Sequence, residues 1–207
     1  PDYAQSLNNL ANYYNFLGDY NKAVEIETQA VNIYKQTLGE NHPIYAKSLE
    51  YIANYSTALG DYGKAIEFGT QAMKIIKQTL GENHPDYAFI LNDVGFTHAN
   101  LGDYRKAIEF GTQATKIIKQ TLGENHPAYT KSNSNLAIYN YKSGNYREAY
   151  KLLLNSAVSR NHIVLSLFKG ATSRTRKSYW SENSDEIKYL PSFCLKAHDQ
   201  ERNGELY

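Results

Sequence analysis

The sequence predicts an all-α fold in which helix hairpins stack into a solenoid. A block of 42 residues ending in Gly-Glu-Asn-His-Pro recurs along the chain and sets prolines at positions 1, 43, 85 and 127. Apolar residues within a block recur at spacings of three and four, as on one face of an α-helix. A fixed period of this length is typical of repeat proteins, because a single helix pair cannot bury its apolar face alone and must stack on its neighbours.

The first helix of a repeat, helix A, is predicted over residues 1–17 of the first block. Its apolar stripe contains Leu7, Leu10, Ala11 and Tyr14. Gly18 ends this helix, because glycine adopts the left-handed conformation of a helix terminus without steric cost.

The second helix, helix B, is predicted over residues 21–38, after a capping residue. Asp19 can accept a hydrogen bond from a first-turn N–H, and the equivalent residues are Asp61, Asp103 and Asn145. The inward stripe of helix B contains Ala23, Ile26, Ala30 and Ile33. Gly39 ends the helix, and His42 precedes Pro43 at the first turn of the next helix A, where the missing N–H of proline costs nothing.

Composition and charge exclude several classes of function. Lys and Arg total 22 against 21 Asp and Glu, so no long-range field attracts nucleic acid or an anionic membrane. The longest apolar run, residues 163–168, is far shorter than the roughly 20 residues that span a bilayer. The single cysteine, Cys194, excludes an intrachain disulfide and suits a reducing compartment, for which the cytoplasm is our expectation. Because the chain starts with proline inside a repeat junction, we expect a further repeat before it.

Seven residues of the first block match the spacing of the tetratricopeptide repeat: Leu10, Ala11, Tyr14, Gly18, Tyr20, Ala23 and Ala30. The chain resembles this family, and its 42-residue unit with a His-Pro start resembles the kinesin-light-chain-like subclass. The resemblance implies a right-handed superhelical solenoid of tetratricopeptide-type hairpins. Four units are expected, at 1–42, 43–84, 85–126 and 127–168. The fourth has Asn133, Asn140 and Ser156 in place of Leu, Tyr and Ala, as expected near the end of a stack.

Helices A and B of the second and third repeats differ in how far they have diverged. From Leu59–Pro85 to Leu101–Pro127, 25 of 27 positions are identical, whereas only 4 of 16 agree between the preceding helices A. This contrast fits a stack in which helices B form the outer shell and helices A face a partner.

In the family that the chain resembles, helix A lines the concave face, and this geometry implies a peptide-binding groove. From repeats 1 and 2 the groove would contain Asn8, Asn9, Asn12, Asn15, Phe16, Lys47, Glu50, Tyr51 and Asn54. From repeats 3 and 4 it would contain Phe89, Asn92, Asp93, Phe96, Asn100, Lys131, Ser134, Asn135, Ile138, Tyr141 and Lys142.

Amide and aromatic side chains dominate this set. An asparagine amide can bond both N–H and C=O of an extended peptide, while Phe and Tyr offer apolar contacts for its side chains. In related repeats the second Asn of Asn-Asn-Leu-Ala contacts peptide, and Asn9 and Asn135 keep it. We therefore predict a protein-interaction module that binds an extended peptide or a helix, with ordinary solvated polar residues as the alternative.

The sequence offers little support for an enzyme or a cofactor. His42, His84 and His126 lie in separate repeats, too far apart for one zinc ion, and we expect each ring to bond a helix start. His98 replaces a helix A tyrosine and is expected to be packed. Cys194 and His198 could share a helix face, but no oxyanion-hole glycine motif accompanies them, so a catalytic pair is only the competing hypothesis.

The C-terminal segment, residues 169–207, is expected to be a capping and connecting segment. Its Arg-Lys-Ser-Tyr-Trp-Ser-Glu-Asn and Leu-Pro-Ser-Phe stretches resemble the connector between tetratricopeptide arrays and caspase-like CHAT protease domains in bacterial proteins. The resemblance implies that any catalytic His and Cys would lie beyond Tyr207. This chain would then be a sensing or scaffold arm and not itself the protease.

Two glycines inside helix B suggest close packing. Gly69 and Gly111 occupy the same position, where glycine costs on the order of 1 kcal/mol relative to alanine. We predict that a large residue of a neighbouring helix A packs on the backbone there.

Overall fold

The computed structural model describes residues 2–156, and every regular element in this range is an α-helix. The first seven helices are α1 (Asp2–Phe16), α2 (Tyr20–Leu38), α3 (Pro43–Ala58), α4 (Tyr62–Thr79), α5 (Pro85–Asn100), α6 (Tyr104–Leu122) and α7 (Pro127–Lys142). An eighth, α8, is described over residues 146–156. Odd-numbered helices are helices A and even-numbered ones are helices B, so the predicted hairpins are confirmed within about a residue.

The chain divides into two compact units, Pro1–Ile117 and Ile118–Tyr207. In the first, each helix from α1 to α4 packs against the next one along the chain. Fully buried alanines such as Ala23 and Ala30 lie on the facing sides of these helices and let the backbones approach closely. In the described part of the second unit, the buried apolar residues include Leu136, Ala137 and Ala149.

The turn from α1 to α2 shows why the hairpin closes where it does. Gly18 has a φ of 80°, in the left-handed region that favours glycine. Its N–H donates to the carbonyl of Asn15 at 3.0 Å, and the N–H of Asp19 donates to the carbonyl of Tyr14 at 3.0 Å. Asp19 Oδ1 then accepts the N–H of Lys22 at 3.1 Å, which caps α2 as predicted. One Gly-Asp pair therefore ends one helix and begins the next.

Histidine begins α3, α5 and α7 in the same way. The ring Nδ1 of His42 accepts the N–H of Ile44 at 3.1 Å, and the next residue, Pro43, lies at the start of the helix. His84 and His126 make the equivalent bonds, also at 3.1 Å. The predicted structural role of these histidines is confirmed.

Gly69 confirms the prediction of close packing for the second repeat. A Cβ added at Gly69 would lie 2.8 Å from Cγ2 of Val94 and 3.8 Å from Cβ of Ala53. Val94 belongs to the helix A that follows, and it is 3% exposed. The glycine is therefore needed because a valine side chain takes the space of its missing Cβ. For Gly111, which is also buried, the packing stays a prediction.

The position of Leu10 corrects one expectation. It was predicted on the buried stripe of α1, but it is 43% exposed, whereas the equivalent Ile52 and Val94 are 1% and 3% exposed. Val94 is covered because it packs on the preceding helix B. No described helix precedes α1, so Leu10 has no such cover.

The polar substitutions of the fourth repeat lie in the protein interior. Asn133, Asn140 and Ser156 are each less than 5% exposed. Asn140 donates its amide to the carbonyl of Leu136 at 2.9 Å. The Asn133 amide nitrogen and the Ser156 hydroxyl have no hydrogen-bond partner among the described residues. Since a buried polar group without a partner is destabilising, these two groups lower the stability of the fourth repeat.

Candidate binding surface

Side-chain hydrogen bonds connect successive helices A within the first unit. The Tyr55 hydroxyl donates to Asn12 Oδ1 at 3.0 Å, which connects α3 to α1. Asn54 donates to Asp93 Oδ2 at 2.9 Å, which connects α3 to α5. A third bond, 2.8 Å long, joins the hydroxyls of Thr57 and Thr97. These bonds hold α1, α3 and α5 side by side. We call the exposed and half-buried residues of these three helices the A-helix face.

Most of the predicted groove residues of repeats 1 to 3 belong to this face. The exposed members are Asn9, Asn12, Phe16, Phe96 and Asn100. The half-buried members are Asn15, Lys47, Tyr51, Asn54, Phe89, Asn92 and Asp93. Phe16 is 85% exposed and Phe96 is 49% exposed, although each belongs to a helix whose other side is well packed. Such aromatic exposure leaves apolar area available to a ligand.

Two of the predicted residues, Asn8 and Glu50, are buried, and their assignment to a groove lining is wrong. Each is 5% exposed. Asn8 faces helix B of its own repeat and Glu50 bonds Lys47, so neither side chain is accessible to a ligand. The helical spacing that placed them beside Asn9 and Tyr51 also turns them toward the neighbouring helices.

The environment of Asn8 is a polar cluster inside the first unit that the sequence did not reveal. Its amide nitrogen donates to Glu27 Oε1 at 3.0 Å and Oε2 at 3.3 Å, in the amide orientation that satisfies both groups. The Ser48 hydroxyl of α3 bonds the same carboxyl. Glu27 is fully buried, and this burial raises its pKa to about 7. The only signal in the sequence was that repeat 1 has a glutamate, Glu27, where repeats 2 and 3 have the equivalent residues Gly69 and Gly111.

Glu50 lies among charged residues at the A-helix face. Lys47 Nζ is 2.8 Å from Glu50 Oε1 and 5.3 Å from the centre of the Tyr51 ring. Burial raises the pKa of Glu50 to about 7; Lys47 opposes the rise, while the charges of Asp93 and Asp86 add to it. Burial therefore shifts this carboxyl toward its protonated form, while the ion pair with Lys47 favours the charged form.

The predicted groove residues of the fourth repeat lie on α7, in the second unit. Lys131, Ile138 and Lys142 are exposed, and Ser134, Asn135 and Tyr141 are half-buried. The Tyr141 ring contacts the Tyr146 ring edge to face, with centroids 5.2 Å apart.

The histidines in the described part of the chain occupy structural positions. Among residues 2–156, no group of three or more His, Cys, Asp and Glu could hold a metal ion. His98 is packed, as predicted: it stacks on Phe110 with centroids 5.6 Å apart, and burial lowers its pKa. Cys194, His198 and the connector lie outside the described residues.

No helix within residues 2–156 has the length and apolar character needed to cross a bilayer.

Comparison with known proteins identifies the family. The tetratricopeptide repeat profile matches three overlapping segments, residues 2–78, 48–120 and 91–154. These segments span most of the chain, which therefore belongs to the tetratricopeptide repeat family. The alternation of helices and the buried small residues are features of this family, whereas the 42-residue period of this chain is longer than the roughly 34 residues usual for it. The resemblance inferred from Leu10, Ala11 and Gly18 is confirmed.

Solved structures with this fold include kinesin-light-chain-like repeats. A Podosopora anserina protein described as a kinesin light chain with nearly identical TPR-like repeats superposes with a TM-score of 0.67 at 24% identity, covering 93% of this chain and 95% of that one. BtubC (BKLC) from P. vanneervenii gives 0.70 at 18% identity, covering 98% and 81%. The apo form of RapI gives 0.69 at 16%, covering 98% and 77%. No curated protein matches the sequence.

The family and the fold define the class of function. A tetratricopeptide repeat array is a scaffold for protein interactions, because stacked hairpins present an extended surface on a rigid core. The solved structures share this architecture at low identity and therefore support the fold alone.

Proposed function

We propose that the A-helix face binds an extended peptide or a helix of a partner protein. The observation that carries this proposal is the exposure of Phe16 and Phe96, at 85% and 49%, on the helices that also present Asn9 and Asn100. Aromatic rings supply apolar contact area to a partner's side chains, while asparagine amides supply both a donor and an acceptor to its backbone.

The connections between helices A support this function. Tyr55 with Asn12 and Asn54 with Asp93 fix the spacing of α1, α3 and α5 before any ligand arrives. A surface that is already ordered loses little conformational entropy on binding, which favours affinity. The hydrogen bonds also occupy part of Asn12, Asn54 and Asp93, so we assign the contacts to the ligand mainly to the exposed residues.

The proposal is tested by selecting peptides from a random library on the complete chain and measuring their dissociation constants by calorimetry. We expect Asn9→Ala and Phe96→Ala each to weaken binding by about tenfold, equivalent to about 1.4 kcal/mol. Asn32→Ala, an exposed amide on α2, is the matched control and should leave the affinity unchanged. Asn135→Ala tests the same prediction on α7.

Peptides whose affinity is insensitive to both Asn9→Ala and Phe96→Ala would show that the A-helix face is not the binding surface. A library that yields no peptide binding above background would instead favour a structural spacer.

A further inference from the structure

The exposed face of helix B differs from the rest of the surface in being almost invariant between repeats. Six exposed residues of α4 recur unchanged 42 residues later in α6: Lys64, Glu67, Thr70, Gln71, Lys74 and Gln78. Five of the six also recur in α2, where Asn32 alone differs, in the place of Lys74. We call these residues the B-helix face.

The buried residues of helix B are also unchanged, since Ala72 and Ile76 recur as Ala114 and Ile118, but packing of the buried side does not by itself require identical exposed residues. Substitutions of exposed helix residues usually change stability little, so such positions are expected to diverge first. Between the same two repeats, buried positions of helix A have changed chemically, from Ser48 to Ile90 and from Ser56 to His98. Helix A has therefore changed on its buried and exposed sides, whereas helix B is unchanged on both. The unchanged exposed residues give successive repeats the same outer surface on helix B.

A shallow cavity lies on this face, between α4 and the start of α5. Its volume is about 340 Å³, and it is lined by Thr70, Met73, Lys74, Lys77, Gln78 and Tyr87. Most of the lining surface is apolar, although two lysines contribute to it. Five of the six lining residues have identical counterparts 42 residues later in the sequence, and Met73 alone is replaced, by Thr115.

The charge of the face indicates which partner it fits. Helix α4 carries three lysines against one glutamate, and α6 carries three lysines and an arginine against one glutamate. Lys77 is paired with Glu82, whereas no carboxylate of a described residue lies within salt-bridge distance of Lys74. An ammonium group beside an apolar depression complements a carboxylate next to an apolar side chain.

We propose that the B-helix face is a second binding surface, which docks an acidic segment of a partner protein with carboxylates next to aromatic or aliphatic residues. Because the same residues recur in successive repeats, a segment with repeated acidic residues could contact several copies, which increases the overall affinity beyond that of one contact. This surface is separate from the A-helix face and does not depend on the function proposed for it.

The experiment uses the complete chain and a fluorescein-labelled peptide of repeated Glu-Glu-Phe-Glu units, with a Lys-Lys-Phe-Lys peptide as the charge control. Binding is followed by fluorescence anisotropy. We expect the acidic peptide to bind, the basic one not to bind, and the double variant Lys74→Glu with Lys116→Glu to weaken binding at least tenfold. The matched control, Lys131→Glu with Lys142→Glu, changes the net charge equally at two exposed lysines of α7, which is not a helix B, and should leave binding of this peptide nearly unchanged.

Three results would overturn the proposal. The first is that the acidic peptide does not bind the wild-type chain. The second is that both double variants weaken binding equally, which would indicate an effect of net charge alone, and the third is that Phe96→Ala abolishes binding, which would place the peptide on the A-helix face. Circular dichroism of each variant confirms that it is folded before binding is compared.

Discussion

Repeats 1 and 2 place opposite chemistry at one equivalent position of helix B. In repeat 1 this residue is Glu27, fully buried and bonded by Asn8 and Ser48. In repeat 2 it is Gly69, whose missing side chain makes room for Val94. The backbone of the hairpin is the same in both. The repeat therefore fixes where the helices lie, while each contact between successive repeats can be made either by polar groups or by close apolar packing.

The largest effect that this comparison predicts is on the pH dependence of the free energy of unfolding. Glu27 has a pKa of about 7 in the folded chain against 4.5 in an unfolded one. Below pH 4.5 both states are protonated; between 4.5 and 7 only the unfolded state ionises, so stability falls as the pH rises through this window. At 1.36 kcal/mol per pKa unit, the fall amounts to about 3 kcal/mol. Urea unfolding of Glu27→Gln should lack this fall, and above pH 7 the variant should be the more stable protein.

Other titratable groups near Glu27 do not account for the expected fall in stability between pH 4.5 and 7. Tyr34 and Tyr55 interact with the charge of Glu27, but both are phenols whose pKa is raised chiefly by burial, so they do not titrate below neutral pH. Glu50, whose pKa is also raised, contributes a fall of the same sign in both proteins. Glu25→Gln, an exposed change on α2, is the control. If Glu27→Gln keeps the slope of the wild type, the carboxyl ionises normally in the folded chain.

The substitution Gly69→Ala tests the close apolar packing of Val94 on Gly69, the repeat 2 residue equivalent to Glu27. The added Cβ would be 2.8 Å from Val94 Cγ2, so the stiff valine or the helix must shift. Such overpacking costs about 1 to 3 kcal/mol, partly offset by the roughly 1 kcal/mol by which alanine favours a helix. We expect a net loss of about 1 kcal/mol, measured by thermal and urea unfolding.

Gly63→Ala provides the matched control for that measurement. Gly63 is in the first turn of the same helix, and a Cβ there would meet only Asp61 Oδ1, at 3.9 Å. Alanine should therefore be neutral or stabilising at position 63. Equal effects of the two substitutions would show that Val94 does not constrain Gly69.

The sequence alone predicted most of the fold, because its signals are local. The period, Gly18, the Asp19 cap and the His-Pro junctions each act within one or two turns, and all were found as predicted. Even the packing at Gly69 could be inferred, since glycine within a helix needs a reason.

The exposure of the predicted groove residues was predicted less well, because it depends on contacts between repeats. Helical spacing placed Asn8 next to Asn9, but only the position of α2 and α3 shows that Asn8 is buried against Glu27. Hydrogen bonds such as Asn54 with Asp93 join residues 39 apart in sequence, which a single repeat does not reveal. Exposure of Leu10 likewise depends on which helix lies beside it.

The smallest expected effect concerns the hydrogen bond that connects α3 to α1. Tyr55→Phe removes the donor to Asn12 while keeping the buried ring, and a hydrogen bond of this kind contributes about 0.5 to 1.5 kcal/mol to stability. Asn12 is exposed, so water can replace the lost donor and the effect should lie near the lower limit. The control is Tyr51→Phe, one turn away, where the ring stacks on Tyr55 at 6.4 Å. A loss for Tyr55→Phe that is no greater than for Tyr51→Phe in urea unfolding would mean that the contact between repeats 1 and 2 depends on the buried cluster around Glu27 and not on this bond.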